Sequence, residues 1–196
     1  MLAFASATFL MLITPGPGLL SAAGVGAAFG FRAGLPYVAG LFLGNWLVAV
    51  LVISGLWALV ETLPVAKFVM GIASLIYFSY IAIKIARANS SIQFKVQARA
   101  PGLRDGTALQ FINPKCYIFN AFLFLNFPFY PENWPLEMLI KLIICSAIWV
   151  PMHLGWMQLG AMIQRLNLGE RAQRNINYAM ASSLIVVVLM ALWTLR

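Results

Sequence analysis

Thr14-Pro15-Gly16-Pro17-Gly18 interrupts an apolar run near the start of the chain. Two prolines and two glycines in five residues do not fit a continuous helix. Each proline lacks an N–H and clashes with the carbonyl four residues back, and each glycine costs roughly 1 kcal/mol relative to alanine in a helix interior. In water such a motif would be a surface turn, but the flanks at 1–13 and 19–31 are too apolar for that. A broken helix at membrane depth is tolerated only where its freed backbone groups face protein or a water-filled cavity. The motif therefore points to a site rather than a loop.

The membrane setting rests on composition. Of 196 residues, 62% are hydrophobic and 9% are charged, against about 25% charged in soluble domains. An all-α integral membrane protein is expected, with a single membrane transport domain over 1–196 and no room for a sizeable soluble domain. The net charge of +8 then concerns lipid headgroups and orientation rather than nucleic acid. No basic segment precedes the first apolar run, so it is expected to be a span and not a signal peptide.

A bilayer core takes about 20 apolar residues per helix. Six stretches qualify, at about 2–29, 35–60, 65–85, 108–129, 136–163 and 176–195. Pro36, Pro64, Pro131 and Pro135 fall at or near their ends, and Tyr130 and Trp134 suit an interfacial belt. With six spans, Arg32, the loop at about 88–107 with its flanking bases, and Arg165, Arg171 and Arg174 all lie on one side. Only Lys67, Lys141 and Arg196 remain for the other. The positive-inside rule places the 88–107 loop in the cytoplasm. That loop separates three spans (about 1–87) from three more (about 108–196). Three is odd, so the halves run in opposite directions, the arrangement of inverted-repeat transporters.

In such proteins, corresponding interruptions in the two halves mark the transport site. Asn113-Pro114-Lys115 interrupts the fourth stretch as Thr14-Pro15-Gly16-Pro17 interrupts the first. The fold expected is thus six transmembrane helices in two inverted three-helix repeats, with Pro-broken first and fourth helices. If the local geometry is helical, Pro15 and Pro114 leave the carbonyls of Met11 and Gln110 without helical partners. The Thr14 hydroxyl and the Asn113 amide offer compensating bonds. New helix N-termini favour anions, and exposed carbonyls at the other break ends favour cations. A zwitterion such as an amino acid presents both. Lys115 either pairs with a carboxylate or snorkels to headgroups.

The two motifs, in this order and about a hundred residues apart, resemble the LysE/RhtB family of amino-acid exporters. Gly30–Gly34 with Arg32, and Gly40 with Gly44, also resemble that family's glycine-rich pattern. The resemblance spans essentially the whole chain. It implies export of amino acids or related metabolites across a bacterial inner membrane, coupled to proton motive force, without an enzymatic activity or cofactor. It also adds Asn45 to the candidate site, because some such exporters carry an acid where this chain reads Gly44-Asn45-Trp46. All five acids (Glu61, Asp105, Glu132, Glu137 and Glu170) fall in or near expected loops. With no buried carboxylate evident, a neutral amino acid is expected as substrate rather than lysine or arginine.

His153, the only histidine, falls mid-span with Pro151 two residues upstream. Ionisable residues inside membranes are functional candidates by default, and histidine titrates near neutral pH. His153 is the proton-coupling candidate, against the plainer reading of a neutral histidine bonded across helices. Asn120, Asn126 and Gln158 suit packing bonds between helices, and Gly26, Gly30, Gly34, Gly40 and Gly44 suit close helix approach. No metal constellation is evident. A homo-oligomer is compatible with the sequence. Two other classes compete: a non-transporting scaffold, and a transmembrane thiol oxidoreductase using Cys116 and Cys145. The second lacks a cysteine beside the first break, where a dithiol mechanism needs one.

Overall fold

In the computed structural model of the chain, Pro17 and Pro114 each occupy the first position of a helix. There a missing N–H costs nothing and the fixed φ is already helical. The structure describes residues 1–13, 16–55 and 99–165, with isolated positions between 63 and 83 and between 171 and 182. The described chain is all-helical. It comprises α1 (Leu2–Ile13), α2 (Pro17–Phe29), α3 (Phe31–Ile53), α4 (Leu103–Ile112), α5 (Pro114–Asn126) and α6 (Trp134–Arg165), with a 3₁₀ turn at Pro131–Asn133 before α6. The expected third and sixth spans lie largely outside the described residues, as do Thr14, Pro15 and most of the 88–107 loop. Isolated positions of those two spans, such as Ile72, Ile76, Tyr178 and Ala179, are helical.

Among the described residues, Phe31–Ile53 and Pro131–Met162 are each long and apolar enough to cross a bilayer. Helices α1 and α2 qualify together as a pair bent by 54°. The stretch expected as the fourth span holds two helices, α4 and α5, meeting at Asn113. Leu43, Leu47 and Val50 on α3, Ile118, Phe122 and Leu125 on α5, and Leu139 and Ile143 on α6 are exposed. Their three- and four-residue spacing makes an apolar stripe on each helix, facing where lipid would lie.

Two of the sequence expectations need correction. Helix α3 starts at Phe31, so Pro36 lies inside it rather than at a span boundary. The reason is the short α2–α3 connection. It consists of Gly30 alone, at φ 85°, a backbone region that side chains other than glycine's rarely adopt. Arg32 accordingly belongs to the first turn of α3 and not to a loop. The second correction concerns acids. Glu137 and Lys141 lie near the start of α6 yet are 3% and 1% exposed, joined by a 2.8 Å ion pair. A buried carboxylate does exist. It is buried because the chain between α5 and α6 folds back onto it, with the Phe129 and Tyr130 N–H groups donating to Glu137 Oε2.

Packing centres on two helix pairs, α2 with α6 and α3 with α4. Both are close backbone crossings. A Cβ on Gly26 would run into the Met157 carbonyl, and one on Gly160 into the Ala23 carbonyl. On the other pair, Gly40 meets the Leu103 carbonyl and Gly106 the Tyr37 carbonyl. Thr107 Oγ1 lies 3.1 Å from the Gly40 carbonyl, to which it donates across that crossing. Small residues let membrane helices approach this closely.

Candidate functional site

The starts of α2 and α5 lie at the same place in the bundle. Gly16 is the N-cap of α2 and is extended at φ −132°, ψ −179°. Asn113 is the N-cap of α5, where its Oδ1 accepts from the Lys115 N–H at 3.1 Å. Asn113 Nδ2 donates to Gln110 Oε1 at 3.2 Å, and the Asn113 N–H donates to the Gln110 carbonyl at 3.3 Å. The carbonyl that Pro114 would have orphaned is therefore taken up within the last turn of α4.

Gly16 has no side chain to cap α2. The first N–H groups of a helix lack intrahelical partners and carry the positive end of its dipole. The half-buried Lys115 side chain lies across Gly16, where a Cβ would sit 2.7 Å from Lys115 Cδ and 2.9 Å from Nζ. An ammonium and an uncapped helix N-terminus thus stand side by side. Two sources of positive potential at one point favour an anion there.

Helix α6 supplies another wall. The rings of Trp149 and His153 stack at 3.4 Å between centroids with planes 13° apart. His153 Nδ1 is 3.0 Å from the Trp149 carbonyl. A carbonyl only accepts, so Nδ1 carries the proton. In the neutral ring Nε2 is then an acceptor. Nε2 is turned toward the start of α2, 3.4 Å from where a Gly18 Cβ would be.

These groups line a partly open cavity of about 50 Å³, room for a few waters. Of the residues expected from sequence, Gly16, Pro17, Asn113, Lys115 and His153 line it, and Pro114 adjoins it as the first residue of α5. Thr14 and Pro15 lie outside the described residues. Asn45 is not in the wall. It stands behind Cys116, its Oδ1 accepting from Cys116 Sγ at 3.4 Å and from Asn120 Nδ2 at 3.1 Å. Asn120 Nδ2 also donates to the Cys116 carbonyl at 2.8 Å, which fixes the amide's orientation. Asn120 Oδ1 is left buried without a hydrogen-bond partner among the described residues.

Gln110 and Trp149 line the cavity without standing out in the sequence. The signal that finds them is spacing: each lies one helical turn before a residue that does stand out, Asn113 and His153. Among the described residues the lining includes no Asp or Glu. Cys116 faces the cavity and Cys145 does not, and both are free thiols.

A bundle of apolar helices with a cavity where two helix starts meet fits a membrane translocator. The family comparison agrees and is specific. Residues 9–194 match the model of the LysE type translocators, and the chain belongs to that family. Its members are transporters and not enzymes, which removes the thiol oxidoreductase and scaffold readings. The chain is similar to the cysteine/O-acetylserine efflux proteins of Escherichia coli (strain K12), Salmonella typhi and Shigella flexneri. In each case it is 27% identical over 180 residues, covering 91% of both chains. No solved structure matches it.

Proposed function

We propose that this chain exports a small neutral amino acid or a related zwitterionic metabolite through the cavity between the starts of α2 and α5. The observation that carries the reading is the convergence of Gly16, Lys115, Asn113 and His153 on one cavity. The substrate carboxylate binds where Lys115 Nζ meets the uncapped start of α2. The substrate ammonium has neutral acceptors, including His153 Nε2, and, among the described residues, no carboxylate. That supports a neutral amino acid over a cationic one, because a second positive charge would have no counter-ion among the described lining residues. Cysteine and O-acetylserine, the solutes in the relatives' names, are both neutral zwitterions and are the first to test.

Transport proceeds as two inverted halves, about 1–87 and about 108–196, rock about this site, with the Pro-broken first and fourth spans at its centre. Thr14 and Pro15 complete the first break, and Asn45 holds the Cys116 wall in place. The 88–107 loop faces the cytoplasm, and export is driven by proton motive force.

Cells with and without the protein, compared for intracellular and extracellular amino acids in the presence and absence of an uncoupler, test the reading. Neutral amino acids are expected to accumulate outside only in expressing cells, with the uncoupler abolishing the difference. Strong lysine or arginine efflux overturns the substrate class. His153→Ala is expected to abolish uphill export, with downhill exchange weakened but not lost. Uphill export that survives this change at all pH values removes His153 from the coupling.

A further inference from the structure

A second buried polar cluster lies at the other end of the helices that line the cavity. Lys141 Nζ is 2.8 Å from Glu137 Oε1 and donates to the Phe124 carbonyl at 2.9 Å. Phe124 is in the last turn of α5, where carbonyls lack helical partners and the dipole favours a cation. Glu137 Oε2 accepts from the Phe129 and Tyr130 N–H groups just beyond that end. The ion pair on α6 thus clasps the end of α5. Phe4 of α1 fits under the clasp with no exposed surface. Its ring meets Phe124, Phe127 and Phe129 edge-on at 6.0, 6.3 and 6.4 Å, and Lys141 Nζ lies 5.8 Å from its centroid.

The position of this layer is what gives it a role. Phe4 is eight residues from Leu12, and Lys141 is eight residues from Trp149. At 1.5 Å per residue the layer lies roughly 12 Å from the cavity along both α1 and α6. Buried side chains from Phe4 through Leu123 and Cys145 to Leu12 and Trp149 pack as one continuous cluster. Among the described residues this cluster fills the space between the cavity and the α5–α6 connection, so a solute leaving that way would part Phe4 from the α5 end. A buried ion pair is a poor source of net stability compared with apolar packing. Its contacts here are ones that water can replace when the layer parts and that re-form when it closes.

We infer that Phe4, held by the Glu137–Lys141 clasp, is the gate that seals the cavity from the membrane face carrying the α5–α6 connection. Phe4 is the plug, and Glu137 and Lys141 are positioning residues that set how often it opens. The inference rests on the transport reading, but its test needs no substrate. Cys116 lines the cavity, so in a Cys145→Ser background it reports access to it. The test measures the rate at which a membrane-impermeant charged methanethiosulfonate labels Cys116 in right-side-out and in inside-out vesicles. Wild type is compared with Glu137→Gln, Lys141→Met and Phe4→Ala, each checked for a monodisperse peak in detergent.

An open state that is rare in the wild type becomes common once the clasp is broken. Labelling from the connection face is expected to rise by on the order of tenfold or more, with no rise from the opposite face. Phe4→Ala, which leaves no buried charge unpaired, carries the test where an ionic variant aggregates. An unchanged rate at the connection face, or an equal rise at both faces, overturns the gate and identifies the cluster as a static clasp. Absence of amino-acid efflux would overturn the transport reading without altering these labelling rates, so the two failures are distinguishable.

Discussion

Replacing Lys115 with methionine lowers export by on the order of a hundredfold while leaving the amount of inserted protein unchanged. Removing one partner of a desolvated, hydrogen-bonded charge pair costs about 2–5 kcal/mol, and each 1.4 kcal/mol is a factor of about ten. The fold loses little, because Lys115 Nζ reaches across to Gly16 rather than into the packed helix crossings. Gly16→Ala is the informative companion. Its new Cβ would lie 2.7 Å from Lys115 Cδ, the outer part of a flexible side chain, so the ammonium moves and the backbone need not. Export is expected to fall by roughly tenfold with the lysine still present, as small misplacements at a binding site cost that much or more. Initial efflux rates from preloaded proteoliposomes, normalised to protein in the membrane, read both variants. Wild-type export by Lys115→Met would move the carboxylate-binding role away from the start of α2.

Gly160→Leu is expected to remove most of the folded protein. The α2–α6 crossing brings Gly160 against the Ala23 carbonyl and Gly26 against the Met157 carbonyl. Backbone cannot turn aside as a side chain can, so the two helices must separate. Overpacking of this kind costs about 3 kcal/mol or more. Gly155 on the same helix has nothing within 4 Å of where a Cβ would sit. Gly155→Ala should therefore be neutral or slightly stabilising, by up to roughly 1 kcal/mol from helix propensity. Thermal unfolding in detergent, followed by size exclusion, separates the two. Equal behaviour of the two variants would show that the crossing tolerates side chains the close carbonyl contacts forbid.

Local chemistry announces itself in a sequence, and contacts between distant segments do not. Pro17 and Pro114 are legible as helix starts because proline constrains its own backbone. His153 stands out because an ionisable group in an apolar run is rare. That both breaks and His153 border one cavity depends on how α2, α5 and α6 pack, which no spacing along the chain encodes. Asn45 shows the reverse. A polar residue at mid-span is legible as a bonded one, but this one stands a layer behind the wall, holding Cys116 and Asn120. Glu137 is hidden for the same reason. Its i,i+4 spacing to Lys141 is visible in the sequence, but its burial comes from Phe129 and Tyr130 folding back over it and from α1 on the far side. Gly160 carries no such spacing, and only its partner's backbone reveals it, whereas Gly106 has Gly102 four residues before it.

Gly30 has a mechanical meaning. Helix α2 is fastened to α6 and α3 to α4, and a single residue joins α2 to α3 along the chain. A longer linker would let either helix shift with the other unmoved. With one residue between them, any turn of α2 against α3 has to be taken up by the two backbone dihedrals of Gly30.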